Sequence, residues 1–123
     1  MRIEIIPCLK DNYSYLVIDE SNNIACVIDP SESEPVINFI EKENITLKYI
    51  LNTHHHFDHI GGNIDLKNKY NSTVVGYKDD ANRIPEIQVL LEDGQIWKAD
   101  NFEAKIIHVP GHTTGHILSL IHI

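Results

Sequence analysis

Four histidines and an aspartate fall within six residues of this 123-residue chain, in the run Thr53-His54-His55-His56-Phe57-Asp58-His59-Ile60-Gly61-Gly62. Imidazole nitrogen and carboxylate oxygen are the donors that first-row divalent ions accept, zinc above all. In an extended segment alternate residues point the same way, so His54, His56 and Asp58 can converge on one side. His59, one step on, faces elsewhere and is placed to serve a second ion. A tag-like tract would sit at a terminus and repeat without an interleaved Asp. This run lies mid-chain, between the apolar Tyr49-Ile50-Leu51 and a Gly-Gly pair. A second histidine-bearing loop, Val109-Pro110-Gly111-His112-Thr113-Thr114-Gly115-His116, follows more than fifty residues downstream. A catalytic zinc site takes three protein ligands and leaves a position open for water. His54, His56 and His112 complete such a set.

The elements that must position these donors follow from pattern. Arg2 to Ile6 alternates as a strand that Pro7 ends, and Lys10-Asp11-Asn12 is turn chemistry. Tyr13 to Ile18 and Ile24 to Ile28 read as a hairpin across Glu20-Ser21-Asn22-Asn23. Ser33 is the expected N-cap of an amphipathic helix over 34–43, with Glu34 and Pro35 in its first turn. Leu47 to Leu51 is a buried strand that delivers the first histidine run at its C-terminal end, the usual address of a ligand site in open α/β sheets. Gly61-Gly62 permits close backbone packing as a helix starts, running to about Tyr70 with Ile64 and Leu66 inward. Thr73 to Tyr77 is a short strand, and 78–83 a polar turn or a single helical turn. Gln88 to Leu91, an Asp93-Gly94 turn and Gln95 to Lys98 read as strand, turn, strand. Phe102 to His108 carries the second histidine loop, and Ile117 to Ile121 is a strand apolar enough to be buried on both faces.

Bulk properties exclude several classes. A net charge of −8 opposes nucleic acid or an anionic membrane as partner, since either needs a basic face. An apolar fraction of 42% over this length predicts one domain, 1–123, with a real core and no second domain. Cys8 and Cys26 are too few for a disulfide scaffold and lack a C-x-x-C partner, so they read as free, packing thiols in a reducing compartment. No basic-then-apolar leader opens the chain, and no apolar run approaches the ~20 residues of a membrane span. The expected location is cytoplasmic.

The pair H-x-H-x-D-H and P-G-H-T-x-G-H resembles the metallo-β-lactamase superfamily. The opening, Ile6-Pro7-Cys8-Leu9-Lys10-Asp11-Asn12-Tyr13-Ser14-Tyr15-Leu16, together with 53–59, is similar to its glyoxalase II branch, the hydroxyacylglutathione hydrolases. The resemblance implies an α/β (α+β) chain of the αββα-sandwich fold, of which this length supplies the N-terminal half. It implies one zinc on His54, His56 and His112, and a second ion on Asp58 and His59, with iron or manganese as other metals for these donors. Asp58 would also orient the attacking hydroxide. His116 would hold a ligand histidine in place by hydrogen bonding. Asp29 would lie near the metals, or else accept local backbone N–H groups as a turn residue. His55 is a structural or supporting residue, and His108 and His122 match no motif.

By the same resemblance, the substrate is a small glutathione thioester, hydrolysed to glutathione and a 2-hydroxy acid such as lactate. In the family a Gly-Asp carboxylate, a further His and most glutathione contacts come later than Ile123, so the second metal site is incomplete here and turnover is expected to be impaired. Metal binding without turnover is the alternative, or a sister activity such as a mononuclear-iron sulfur dioxygenase or a lactamase. Half a sandwich also predicts self-association through exposed apolar surface.

Overall fold

The computed structural model of the protein describes residues 2–8, 12–52, 62–78, 87–92, 94–108 and 117–121, with backbone alone at 8, 12, 77, 105–108 and 117–121. Strands β1 (Arg2–Cys8) and β2 (Asn12–Asp19) pair antiparallel, and β2 pairs antiparallel with β3 (Ile24–Ile28) across the expected turn. Asn23 in that turn has φ 58, a left-handed conformation that Asn tolerates. From β3 the chain crosses through helix α1 (Ser33–Glu43) to the parallel strand β4 (Thr46–Leu51). It then crosses through helix α2 (Asn63–Tyr70) to β5 (Thr73–Tyr77), which pairs parallel with β6 (Ile87–Leu91). Together they form one mixed sheet in the order β1-β2-β3-β4-β5-β6. A second, antiparallel sheet has the order β7-β8-β9, from β7 (Ile96–Ala99), β8 (Phe102–His108) and β9 (Ile117–Ile121).

Period-2 alternation divides the large sheet between two cores. Leu16, Ile18, Ala25 and Val27 pack with Val36 and Ile40 of α1 and Leu66 of α2. The intervening Val17 and Cys26 face the other way, against Trp97, Phe102 and Ala104 of the second sheet. The described layers are therefore helices, sheet, sheet. Two bulges preserve this division where the sequence departs from strict alternation. Ala25 pairs with Leu47 but Cys26 pairs with Tyr49, so Lys48 is an extra residue on β4. Leu47 consequently faces the helices, while Tyr49 and Leu51 face the second sheet. The same happens at Gln88, between the pairs Val74–Ile87 and Val75–Val89. There the Gln88 Oε1 accepts from the Val74 N–H (3.2 Å) and the Lys67 Nζ (2.8 Å), filling the gap in the ladder.

Four expectations are corrected. Strand β1 continues through Pro7, which pairs with Tyr13; β1 is an edge strand, where a missing N–H costs no ladder bond. Ser33 is the first residue of α1 rather than its cap, Glu32 being extended at φ −133, ψ 146. The Ser33 hydroxyl is spent instead on Asp65 Oδ2 of α2 (3.0 Å). Ile64 is 48% exposed while Leu66 is fully buried, because residues two apart on a helix lie on nearly opposite faces. The inward partner of Leu66 is Asn63. Finally, the 92–95 turn forms, with the Gln95 N–H donating to the Glu92 carbonyl and Gly94 at φ 80. Its flanking strands do not pair: β6 closes one sheet and β7 opens the other. The burial expected of 117–121 lies outside the described side chains.

On β1 and β2, Ile3, Ile5, Tyr13 and Tyr15 are 45%, 60%, 56% and 44% exposed. The pairs Ile3–Val17, Ile5–Tyr15 and Pro7–Tyr13 put them on the Val17 face of the sheet. None of the described helices is long and apolar enough to cross a membrane.

Candidate metal centre

The C-terminal ends of the parallel strands β3 and β4 lie side by side, and the first histidine run leaves the second of them. His54, His56, Asp58 and His59, with His55, lie outside the described residues, as do His112 and His116 of the second loop and His122. The platform on which the first run begins and ends is described in detail.

Its near end is fixed by the sheet. The Asn52 N–H donates to the Val75 carbonyl (2.9 Å), continuing β4 onto β5 by one residue. One strand over, the Asp29 N–H donates to the Leu51 carbonyl (2.9 Å), and the Asp29 carbonyl accepts the buried Ser14 hydroxyl of β2 (2.9 Å). Asp29 has φ 52, the left-handed region where Asp is among the residues least penalised. It is buried at the end of β3, beside the point where the histidine run departs.

The far end returns to the same place. The Gly62 N–H donates to the Pro30 carbonyl at 2.7 Å. A Cβ at Gly62 would lie 2.9 Å from the Glu32 carbonyl carbon and the Ser33 nitrogen, and 3.0 Å from the Pro30 oxygen. These are backbone atoms, so only glycine lets the two segments approach this closely. The packing role read from the Gly-Gly pair is thus realised at Gly62. One residue on, the Asn63 and Asn52 side chains form a reciprocal pair. The Asn63 Nδ2 donates to the Asn52 Oδ1 (2.6 Å) and the Asn52 Nδ2 to the Asn63 Oδ1 (3.2 Å), both residues being fully buried. Rotating both amides together exchanges donors for acceptors and keeps two bonds.

Sequence reasoning missed Asn52, Asn63 and Ser14. A signal existed for the first two: an amide ends the apolar β4, and another follows the Gly-Gly pair. Their mutual contact, across a gap of ten residues, was not visible in either.

Among the described residues no group of three or more His, Cys, Asp or Glu is placed to hold a metal. The donor chemistry of 54–59 and 112, imidazole with carboxylate, suits a zinc-type ion. The glycine seat at 62, which any Cβ would fill, brings the residue that follows this run against the turn after β3. Cys26 is no competing ligand, since burial pushes its thiol up to about 12 and it packs between the sheets as an apolar group.

Residues 10–122 match the model of the metallo-beta-lactamase superfamily. The chain is 64% identical over 117 residues to a hydroxyacylglutathione hydrolase of Pelagibacter ubique, covering 95% of this chain and 49% of that protein. It is 45% identical to the hydroxyacylglutathione hydrolase of Crocosphaera subtropica, over 95% of this chain and 46% of that one. The chain thus spans about half the length of the curated relatives it matches. Among solved structures it superposes on the BLEG-1 B3 metallo-beta-lactamase with a TM-score of 0.85 at 22% identity, covering 94% of this chain and 65% of that one. It superposes on ETHE1 from Myxococcus xanthus with a TM-score of 0.82 at 27% identity, covering 98% of this chain and 54% of that one.

Proposed function

The chain belongs to the metallo-beta-lactamase superfamily, and from that premise we propose that it carries the metal-holding segment of a hydroxyacylglutathione-type thioester hydrolase. The family and the named relatives imply a divalent ion. In this reading His54, His56 and His112 hold one zinc, and Asp58 with His59 a second, weaker ion; iron or manganese suits the same donors. Bound there, the ion supplies a Lewis acid for the thioester carbonyl and lets water ionise near pH ~7. Asp58 accepts a hydrogen bond from the attacking water and aims it at the carbonyl. His116 and Asp29 keep the ligand imidazoles oriented. Glutathione departs as a thiolate, a good leaving group that needs no general acid, and the other product is a 2-hydroxy acid.

The observation that carries the reading is that the residues flanking 53–61, the run that holds His54, His56, Asp58 and His59, are both fastened to the turn after β3, Leu51 through Asp29 and Gly62 through Pro30. The test is zinc titration joined to an S-lactoylglutathione assay. About one zinc should bind tightly per chain, as three imidazoles form a full catalytic-type set, and His112→Ala should lose it. Thioester hydrolysis should be zinc-dependent, absent in His54→Ala, and slower than that of the Pelagibacter relative, whose chain is about twice as long. Zinc retained in His112→Ala, or thioester hydrolysis indifferent to zinc, would sink the proposal.

The partner in this reading is a small glutathione thioester; the net charge of −8 opposes nucleic acid or an anionic membrane surface. Self-association through Ile3, Ile5, Tyr13 and Tyr15 is part of the same proposal. Sedimentation should show concentration-dependent association that Ile5→Lys abolishes; a parent chain monomeric at every concentration contradicts it.

A further inference from the structure

We infer that the buried Asn52–Asn63 amide pair is a positioning clasp for the metal-binding segment between them, setting metal affinity rather than merely contributing to stability. The inference rests on the metal centre proposed above. Asn52 is the last residue before the segment and Asn63 the second after it, and their two hydrogen bonds join the ends directly. The neighbouring contacts bring each end to the base separately: Asn52 to β5, Gly62 to Pro30. Among the described contacts, the amide pair is the one that ties one end to the other. A hydrogen-bonded pair fixes distance and direction together, which an apolar contact does not. Both side chains are neutral, so they hold the segment without adding a charge that would compete for the ion or alter the donors' protonation. A carboxylate in either place would do both.

Three variants of the 123-residue chain separate positioning from stability. Asn63→Ala removes both bonds of the pair. Asn52→Leu with Asn63→Leu removes both bonds while keeping volume and takes out both amides together, which costs less than stranding one of them. Ile45→Ala opens the core at the far end of β4 from Asn52 and serves as the destabilised control. Zinc affinity is read by competition with a chromophoric chelator, metal-free melting is followed separately, and the cobalt-loaded form is read by its visible spectrum.

Asn63→Ala is expected to lose about tenfold or more in zinc affinity, the scale typical of groups that support metal ligands. The double Leu variant should melt near the parent yet still lose affinity and shift its cobalt bands. Ile45→Ala should melt lower with zinc affinity and cobalt bands unchanged. Parent-like affinity and spectrum in the double Leu variant would overturn the clasp and leave the metal centre standing. A parent chain that binds neither zinc nor cobalt would overturn both.

Discussion

At the C-terminal end of β3 and β4, the described contacts are made by backbone and neutral side chains: Asp29 N–H to Leu51, Gly62 N–H to Pro30, Ser14 to Asp29, Asn52 to Asn63. The opposite end of the same sheet is held by charge. Asp19 accepts from the Ser21 N–H and from the Asn22 and Asn101 amides, tying the β2–β3 turn to the β7–β8 turn. Lys48 and Tyr49 both reach Asp100, at 2.8 and 2.5 Å. Arg2 lies among Glu4, Glu20 and Glu43 at the rim of a cavity of about 220 Å³. The difference follows from what each end has to tolerate. The run carrying four imidazoles and a carboxylate is joined to the sheet here by bonds that add no charge, Asp29 entering them through its backbone N–H and carbonyl. The far end has no such neighbour, and apart from the buried Asp19 its charged groups are largely solvated, where single ion pairs are worth little. The histidine end should therefore be brittle and the far end forgiving.

The sharpest way to break that contrast is Gly62→Ala. Its Cβ would press on three backbone atoms at 2.9 to 3.0 Å, and overpacking of this kind costs about 1–3 kcal/mol or more. Expected are a melt lowered by several degrees and weakened zinc binding; an unchanged melt would show that the 30–33 turn yields freely. Next comes Ser14→Ala, which strips the hydroxyl from the buried Asp29 carbonyl. A loss of about 1 kcal/mol is expected in chemical denaturation, and a neutral result would mean that Asp29 holds its conformation unaided.

At the far end the expected effects shrink and depend on solution conditions. Hydrogen bonds from Asn22 and then Asn101 hold the Asp19 carboxyl below its ordinary 3.8, and Lys48 and Tyr49 do the same for Asp100. A lowered native value means that this stabilisation is complete above the unfolded-state range and is lost as pH falls through the native one. Asn101→Ala should therefore lessen the fall in stability below pH 3.8. A parent and variant with parallel acid profiles would remove Asp19 from the account. Smallest is Arg2→Ala. Its pairs with Glu4, Glu20 and Glu43 are exposed and compete for one guanidinium, so a change under about 1 kcal/mol that vanishes in high salt is expected. A larger, salt-insensitive loss would place real structure at this end and blunt the comparison.

The sequence alone determined the donors, their spacing and most of the elements. His54, His56, Asp58, His59 and His112 are legible because their chemistry is carried by residue type and short intervals. Strands β2, β3, β5 and β8 and helix α1 are legible because alternation and helical periodicity are local properties of adjacent residues. Tertiary structure alone decided which residues oppose one another. The extra residues at Lys48 and Gln88 switch faces only because a neighbouring strand sets the register. The turn at Gly94 is local, yet whether its flanking strands pair depends on β5 and β8, which capture them into different sheets. Asn52 and Asn63 each read as an ordinary polar residue at an element boundary. Burial turned them into a pair, because an amide removed from water must find a partner, and the fold had placed one within 3 Å of the other.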